Sequence, residues 1–398
     1  MVADGVREDI ERLAGMPRRS ASAEETAAAY ELARMMAARG LDPVLESERA
    51  VGGFWQSTGL AAAAAVVAAV ISRRSRPAGA ALAAAAALAM ADDVDNGMHL
   101  LRRLLPKRTT TNVMAWAGDG EAPRTIVLVA HHDAAHSGLM FHPSIVPFLS
   151  GLAPGLYARQ KTSTQTGRLL VFGPAAVAAG AVSGSRRLRR LGLMWSAATA
   201  LLLADVARSP VVPGANDNLS AVAALLEVAE RLAADPVDGV RVLLLSTGSE
   251  ESFMEGMRGF IARHRAELDP ARTAVVAIEC IGSPHLAILE GEGMLRIRDY
   301  DAGLREELAR CAQEAGVEVW RGLRLGAGGT DALPAMRSGL PAACLAACNE
   351  LKVPSNYHWA SDTTANLDWS TVGEACDVLT RLIRRGGARS GLSAVASV

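Results

Sequence analysis

Three short apolar runs each end on imidazole or carboxylate side chains, and no other feature narrows the possible folds of this chain as much. Thr125–Ala130 (TIVLVA) runs into His131-His132-Asp133, Arg241–Ser246 (RVLLLS) leads to Ser249-Glu250-Glu251, and Ala274–Glu279 (AVVAIE) ends on Glu279. Between the first two lie Leu219, Val222, Leu225, Leu226, Ala229 and Leu232, spaced as the apolar face of a helix. Strands alternating with helices predict an α/β fold, a mixed and largely parallel sheet with helices on both faces. Open sheets of this kind place their sites beyond the carboxyl ends of the strands, which is where the ionisable residues fall. Two more candidates lie in polar segments: Asp217 in GANDN, just before the amphipathic helix, and His358 in NYHWASDT.

Imidazole and carboxylate together suit zinc or a related divalent ion. The five cysteines (Cys280, Cys311, Cys344, Cys348 and Cys376) are odd in number and form no CxxC pair, so they read as buried free thiols rather than a disulfide framework or a thiolate metal site. The adjacent Glu250 and Glu251 need an explanation, because two ionised carboxylates side by side repel and a buried pair needs a cation or raised pKa values. One of them can bind metal while the other handles the proton of an attacking water. Taken singly each residue has an ordinary reading: a loop pair for His131 and Asp133, a helix cap for Asp217, a solvated loop for Glu250-Glu251, a satisfied histidine for His358. The set, gathered at strand ends, carries the argument. His132, His136 and His142 read as walls of the site, and His99, His264 and His285 as structural or surface residues.

The composition changes at Val51. Val51–Ser72 is alanine-rich and uncharged, Arg73-Arg74-Ser75-Arg76 follows, and Pro77–Ala91 is uncharged again. The plan recurs with Leu169–Ser185, the basic Arg186–Arg190 and Leu191–Ala204. These read as two inserted helical hairpins with arginine turns. Only Val51–Ser72 reaches the roughly 20 apolar residues of a spanning helix, so membrane association, a soluble four-helix lid and an oligomer interface all stay open. Residues 1–20 carry charge and no apolar signal region; the localisation expected is membrane-associated without a signal peptide, with a soluble cytoplasmic chain as the alternative. Lys+Arg 41 against Asp+Glu 42, a net charge of -1, excludes a general nucleic-acid binder. Near the start, Ser22-Ala23-Glu24-Glu25 reads as a capping box opening a helix that ends near Gly40, with a short strand at Leu41–Ser47.

In order along the chain, VLVAHHD, GANDNLSAVAALLEVAERL, STGSEESFMEGMRGF, AIECIGS, GGTDALPAMRSGLPAACL and YHWASDTTANLD closely resemble the co-catalytic zinc aminopeptidases, a family that also holds glutamate carboxypeptidases, glutaminyl cyclases and the transferrin receptors. The resemblance covers about residues 7–50 and 109–385 and leaves both hairpins outside. It implies a zinc exopeptidase domain formed by residues 1–50, 92–168 and 205–398, with residues 51–91 and 169–204 as insertions. It implies two zinc ions, with His131 on one, Asp133 orienting it, Asp217 bridging both through a segment often cis at Asn218, Glu251 and His358 on the second, and Glu250 as general base. Thr330-Asp331 resembles a motif on the substrate side. The family usually has Asp where this chain has Glu279, so the resemblance implies a ligand one methylene longer. The implied function is a metal-dependent exopeptidase, an aminopeptidase acting on peptides. The alternatives are a single-zinc acyltransferase of glutaminyl-cyclase type and a non-catalytic binding protein of transferrin-receptor type. By the family's geometry both hairpins emerge at the carboxyl edge, as a cap that restricts access or holds the site near a bilayer.

Overall fold

The computed structural model describes residues 1–395. Helices α1 (Asp4–Ala14) and α2 (Ala23–Ala38) lead into β1 (Val44–Ala50), and after α3 (Phe54–Ile71) and α4 (Arg76–Val94) the chain returns as β2 (Arg108–Gly118) and β3 (Thr125–His131). Helices α5 (Ile145–Leu152), α6 (Pro154–Arg159), α7 (Thr166–Ser183) and α8 (Arg186–Val206) separate β3 from α9 (Ser220–Ala234). Then follow β4 (Arg241–Thr247), α10 (Glu255–His264), β5 (Thr273–Glu279), β6 (His285–Ile288), the short β7 (Gly291–Glu292) and β8 (Arg298–Asp299), α11 (Ala302–Ala315), β9 (Arg324–Leu325), α12 (Ala332–Arg337), β10 (Ala342–Cys348) and α13 (Trp369–Val395).

The main sheet has the order β1-β2-β4-β3-β5-β10-β6, and β7, β8 and β9 form a small second sheet. The central strands β4, β3, β5 and β10 run parallel, while β2 and β6 are antiparallel to their neighbours. Side chains of the central strands alternate between two cores. Ile126, Leu128, Ala130, Val242, Leu244, Val276 and Ile278 pack with residues of α1, α2, α9 and α13. Val127, Val129, Leu243, Leu245, Val275 and Ala277 pack with Met257 and Phe260 of α10 and Leu333 of α12. Burial on both faces explains why these strands read as continuous apolar runs. All five cysteines are buried and free.

Several elements differ in detail from the sequence expectation. Ser22 does cap α2, accepting from the Glu25 amide at 3.1 Å. The Glu25 carboxylate does not close the box; it turns inward and accepts from Thr110 Oγ1 at 2.8 Å and the Ser249 amide at 2.7 Å. The first strand lies at Val44–Ala50 rather than Leu41–Ser47, the stretch that pairs antiparallel with Arg108–Met114 of β2, and there Glu46 and Glu48 meet His264 and Arg263 of α10. Arg186–Arg190 is not a turn but the start of α8, capped by Ser185. Helices α3, α4 and α7 are each long and apolar enough to cross a membrane, by length and composition alone, where the sequence suggested one. The difference arises because α4 extends past both ends of its uncharged stretch and α7 begins three residues before its own.

Helices α3, α4, α7 and α8 pack side by side in a ring, each against the next and α8 against α3. Small residues allow close approach. A Cβ on Gly192 would stand 2.6 Å from the Val177 amide nitrogen, and one on Gly79 2.6 Å from Ser72 Cα. Because β1 is antiparallel to β2, and β2 to β4, β1 runs with β4 and ends at the same sheet edge as β3 and β5. Both insertions therefore leave the sheet at that edge. The first is tied down by Arg102, which is 1% exposed. Its guanidinium donates to Asp93 Oδ1 at 2.7 Å, Ser252 O and Oγ at 3.0 Å and Glu255 Oε2 at 3.1 Å. The amides of Val51 and Gly53 donate to Glu255 Oε2 and Ser252 Oγ at 2.7 Å each.

Arg102→Met keeps the length of the side chain but leaves Asp93 and Glu255 buried without their cation. Breaking one side of a buried ion pair costs about 3–5 kcal/mol. Chemical denaturation of the variant should show a loss of that order, and an unchanged midpoint would refute the anchoring role.

Candidate metal centre

The site forms where five chain segments meet at the edge of the sheet. His131 is the last residue of β3 and pairs with Thr247 of β4. Glu250 and Glu251 lie in the turn after β4, Glu279 ends β5, and Asp217 and Asn218 lie in a tight segment, Ala215–Leu219, that feeds α9. His358 comes from the loop between β10 and α13. The Asp217–Asn218 peptide is cis. Ser249, Cys280 and His358 adopt left-handed backbone, which costs roughly 1–2 kcal/mol at each non-glycine residue. The turns are held by hydrogen bonds from the Ser249 amide to Glu25 and from the Cys280 amide to Asn218 Oδ1 at 3.0 Å.

The structure brings His131, Asp217, Glu250, Glu251, Glu279 and His358 together, all buried. Asp217 stands between the two imidazoles, with Oδ1 3.2 Å from His131 Nε2 and Oδ2 3.1 Å from His358 Nε2. Glu251 Oε1 is also 3.1 Å from His358 Nε2, and Glu250 and Glu279 each place an oxygen 3.8 Å from His131 Nε2. His131 Nδ1 faces only acceptors, the Asp133 carbonyl at 3.2 Å and Asp133 Oδ1 at 3.4 Å. Nε2 likewise faces only carboxylates, so against burial the hydrogen bonds to Asp133 and Asp217 and the nearby Glu250 and Glu279 raise the imidazole's pKa well above its ordinary value; Nδ1 keeps its proton on Asp133, and a cation would take the place of the proton on Nε2.

The residues fit a bound divalent cation. Glu279 Oε1 is buried with no hydrogen-bond partner among the described residues, and Glu251 Oε1 and His358 Nε2, though 3.1 Å apart, are not aligned as a hydrogen bond; a buried polar atom left unpaired is costly. Tetrahedral zinc ligands at 2.0–2.2 Å from the ion stand roughly 3.3 Å from one another, which matches the nitrogen–oxygen separations around Asp217. Ligand atoms of His131, Asp217 and Glu251 lie within 4.8 Å of one another, as do those of Asp217, Glu279 and Cys280.

Charge points the same way. Burial pushes the carboxyls of Glu250 and Glu279 well above the usual range, with His131 pulling them back and neighbouring carboxylates adding to the rise. Burial likewise raises Glu251. Against burial, the two histidines hold Asp217 far below its ordinary value, and Glu251 with Asp217 lifts His358 to about 10. A cluster this rich in buried carboxyls is neutralised by protons or by cations. The Cys280 thiol is pushed up by burial and the surrounding carboxylates and stays protonated, which makes it a poor ligand.

Asp133 sits under the ligands. It accepts from Ser20 Oγ at 2.6 Å, the Glu250 amide at 3.0 Å and the Glu251 amide at 3.2 Å. Asp331 is buried and bonded through Oδ2 to Thr247 Oγ1, and Thr330 is bonded to Glu292. His132 is turned away, bonded to Ser246 Oγ at 3.0 Å and held neutral by burial, with its pKa lowered to about 4. His136 packs on Trp55 at 4.6 Å and His142 on Trp359 at 5.0 Å. Phe141 meets the His358 ring edge-on at 4.4 Å.

Sequence reasoning missed three supports. Asp362 accepts from the amides of Asn216 at 2.6 Å and Asp217 at 3.1 Å. Arg18 donates to the carbonyls of His132 at 2.8 Å, Leu13 and Pro213 at 2.6 Å each, and Gly214 at 3.2 Å. Glu25, taken as half of a capping box, holds Ser249. Asp362 lies in the same quoted motif as His358, so its polar surroundings were visible. Nothing near Arg18 in the sequence marks it.

The sequence model of peptidase family M28 matches residues 201–383. Comparison with curated proteins gives no match. Among solved structures, the chain is similar to a glutaminyl cyclase from Porphyromonas gingivalis (13% identity, TM-score 0.52, covering 96% of this chain and 98% of that one). It is also similar to a Zn-dependent exopeptidase from Parabacteroides distasonis (12%, 0.53, 96% and 97%) and a leucine aminopeptidase precursor from Bacteroides thetaiotaomicron (12%, 0.53, 96% and 99%). At these identities the structural likeness is one of fold. The sequence match to the M28 peptidases thus covers residues 201–383, and across the rest of the chain the likeness is to the fold of zinc exopeptidases and glutaminyl cyclases.

Proposed function

We propose that the protein is a metal-dependent exopeptidase, an aminopeptidase that holds two zinc ions. One observation carries the reading: both oxygens of Asp217 face imidazoles, while the Glu250 carboxylate beside them accepts no hydrogen bond from the described residues. His131, Asp217 and Glu279 would hold one ion, and Asp217, Glu251 and His358 the other. Zinc, when bound, polarises the scissile carbonyl and makes water a better nucleophile. Glu250 takes the proton of the attacking water as its oxygen bonds to the carbonyl carbon. It then delivers that proton to the amine as the C–N bond breaks. Asp133 holds the Glu250 and Glu251 amides and the His131 ring in place. The buried ligands and the aromatic residues above His358 favour a chain end over an internal loop, and the surrounding carboxyls suit a cationic α-amino group. The unpaired Glu279 Oε1 favours two ions over the single zinc of a glutaminyl-cyclase-type enzyme.

We also propose that the helix ring associates with a membrane. Leu60, Val67, Val70, Leu88, Leu201 and Val182 are exposed on its outside. Helices of 18 and 21 residues span about 27–32 Å at 1.5 Å per residue, close to the roughly 30 Å of a hydrocarbon core. Arg73, Arg74, Arg76, Arg186, Arg187 and Arg190 are exposed at the end away from the sheet, suited to phosphate headgroups.

Glu250→Gln should lower turnover of an aminoacyl substrate roughly 10²–10⁴-fold with metal content unchanged, whereas Glu251→Gln should lose metal. The reverse pattern would exchange the two roles, and peptide hydrolysis unaffected by either would end the enzyme reading. Metal analysis of Glu279→Ala should fall from two ions per chain towards one; a wild-type content of one would favour the cyclase reading. In cell fractionation the full chain should sediment with membranes and be released by detergent but not by high salt. Recovery in the soluble fraction without detergent would instead support a soluble lid.

A further inference from the structure

The chain between β3 and α7 contains an apolar surface that the site does not use. In α5, Ile145, Phe148, Leu149 and Leu152 recur at the spacing of one helix face, and all are exposed. Phe148 is 65% exposed, Leu152 68%, and Leu156 of α6 74%. Neither helix has a single buried residue, and residues 143–158 carry no charge. An apolar face of this size, left in water, marks an interaction surface.

Its place in the fold identifies the partner. The segment starts at Phe141, which touches the His358 ring. It is pinned at its far end by Tyr157, whose hydroxyl donates to Leu351 O at 3.0 Å, and by Lys352, whose Nζ donates to Ala158 O at 2.8 Å and Gln160 O at 2.9 Å. It therefore crosses from the wall of the site to the loop preceding His358. It then enters α7, one of the three helices long and apolar enough to cross a membrane. Where α4 re-enters the sheet domain, Met98, Leu100 and Leu104 are exposed as well. Exposed Arg103, Arg159, Lys161 and Arg168 lie beside these two apolar patches. Apolar side chains bordered by cations at the root of apolar helices match the boundary between acyl chains and anionic headgroups.

We propose that residues 139–158 form a strap that lies in the headgroup–acyl boundary of a bilayer and holds the mouth of the metal centre against the lipid surface. This rests on the membrane reading of the helix ring, and the test separates the two. Single cysteines would be introduced by Phe148→Cys and Leu152→Cys on the strap, Leu88→Cys on α4 and Glu267→Cys in the connection leading to the opposite sheet edge. The native thiols are all buried, so an environment-sensitive fluorophore marks the added positions. The labelled full-length protein is placed in phosphatidylcholine–phosphatidylglycerol vesicles carrying nitroxide lipids of known depth.

The labels at 148 and 152 should be blue-shifted and lose most of their fluorescence to shallow nitroxides, the label at 88 to deep ones, and the label at 267 to neither. Quenching at 88 with aqueous spectra at 148 and 152 overturns the strap and keeps the membrane reading. Aqueous spectra at 88, 148 and 152 overturn both. A blue shift at 148 and 152 without quenching by any lipid assigns the face to a second copy of the chain and overturns the proposal.

Discussion

The carboxylate of Asp133 is the joint on which the site depends. It is fully buried, receives a hydroxyl from Ser20 and two successive amides from the Glu250-Glu251 turn, and lies against the protonated nitrogen of His131. One side chain thus fixes the ends of two strands relative to each other and sets the tautomer of an imidazole. Its charge is supported by His131, which with hydrogen bonding outweighs the burial that would otherwise raise its pKa. Asp362 does the same for the other half, receiving the amides of Asn216 and Asp217. Arg18 links the halves by donating to carbonyls on both sides, and burial lowers its pKa only to about 10, so it remains a cation.

The helix ring is joined to this machinery rather than hung from a distant loop. Ser252, the residue after Glu251, receives the amides of Gly52 and Gly53 at the start of α3 and the guanidinium of Arg102 just beyond α4. A displacement of the ring's root would be felt at the Glu251 backbone one residue away. The first insertion also touches His136 through Trp55 of α3, and the segment leading to the second meets the His358 ring through Phe141.

The sheet was legible because burial on both faces writes strands as continuous apolar runs, and its edge was legible because ionisable residues interrupt those runs. His131, Glu250, Glu251 and Glu279 were visible at those strand ends, whereas Asp217 and His358 came from polar segments and their roles from the family resemblance. Supports that act through backbone atoms were not legible. Arg18 recognises five carbonyls, Met16 O at 2.9 Å among them, and Glu25 an amide, and a backbone partner leaves no trace in residue type. Element ends were shifted because caps and strand pairing decide them. Ser185 converts an arginine run into the first turns of α8, and pairing with β2 places β1 three residues further along the chain. The strap of α5 lies in a stretch with no periodic partner, and its exposure emerges only when the packing around it is known.

Glu279 shows how one methylene is accommodated. By resemblance the position usually holds Asp, which would bring its carboxylate closer to the strand end. Here Asn218 Nδ2 donates to Glu279 Oε2 at 2.8 Å and to Ile278 O at 2.8 Å, so the longer side chain is folded back and fixed at one oxygen. That oxygen stands 3.8 Å from His131 Nε2, against 3.2 Å for Asp217. Only Oε1 remains without a partner, so Glu279 can offer one free oxygen, with the other shared with an amide. An ion on the His131 side would then depend more on Asp217 and His131 than its counterpart on the His358 side, where oxygens of Asp217 and Glu251 each stand 3.1 Å from His358 Nε2. The longer acid makes the two halves of the centre unequal through ligand reach, while leaving the set of donor types intact.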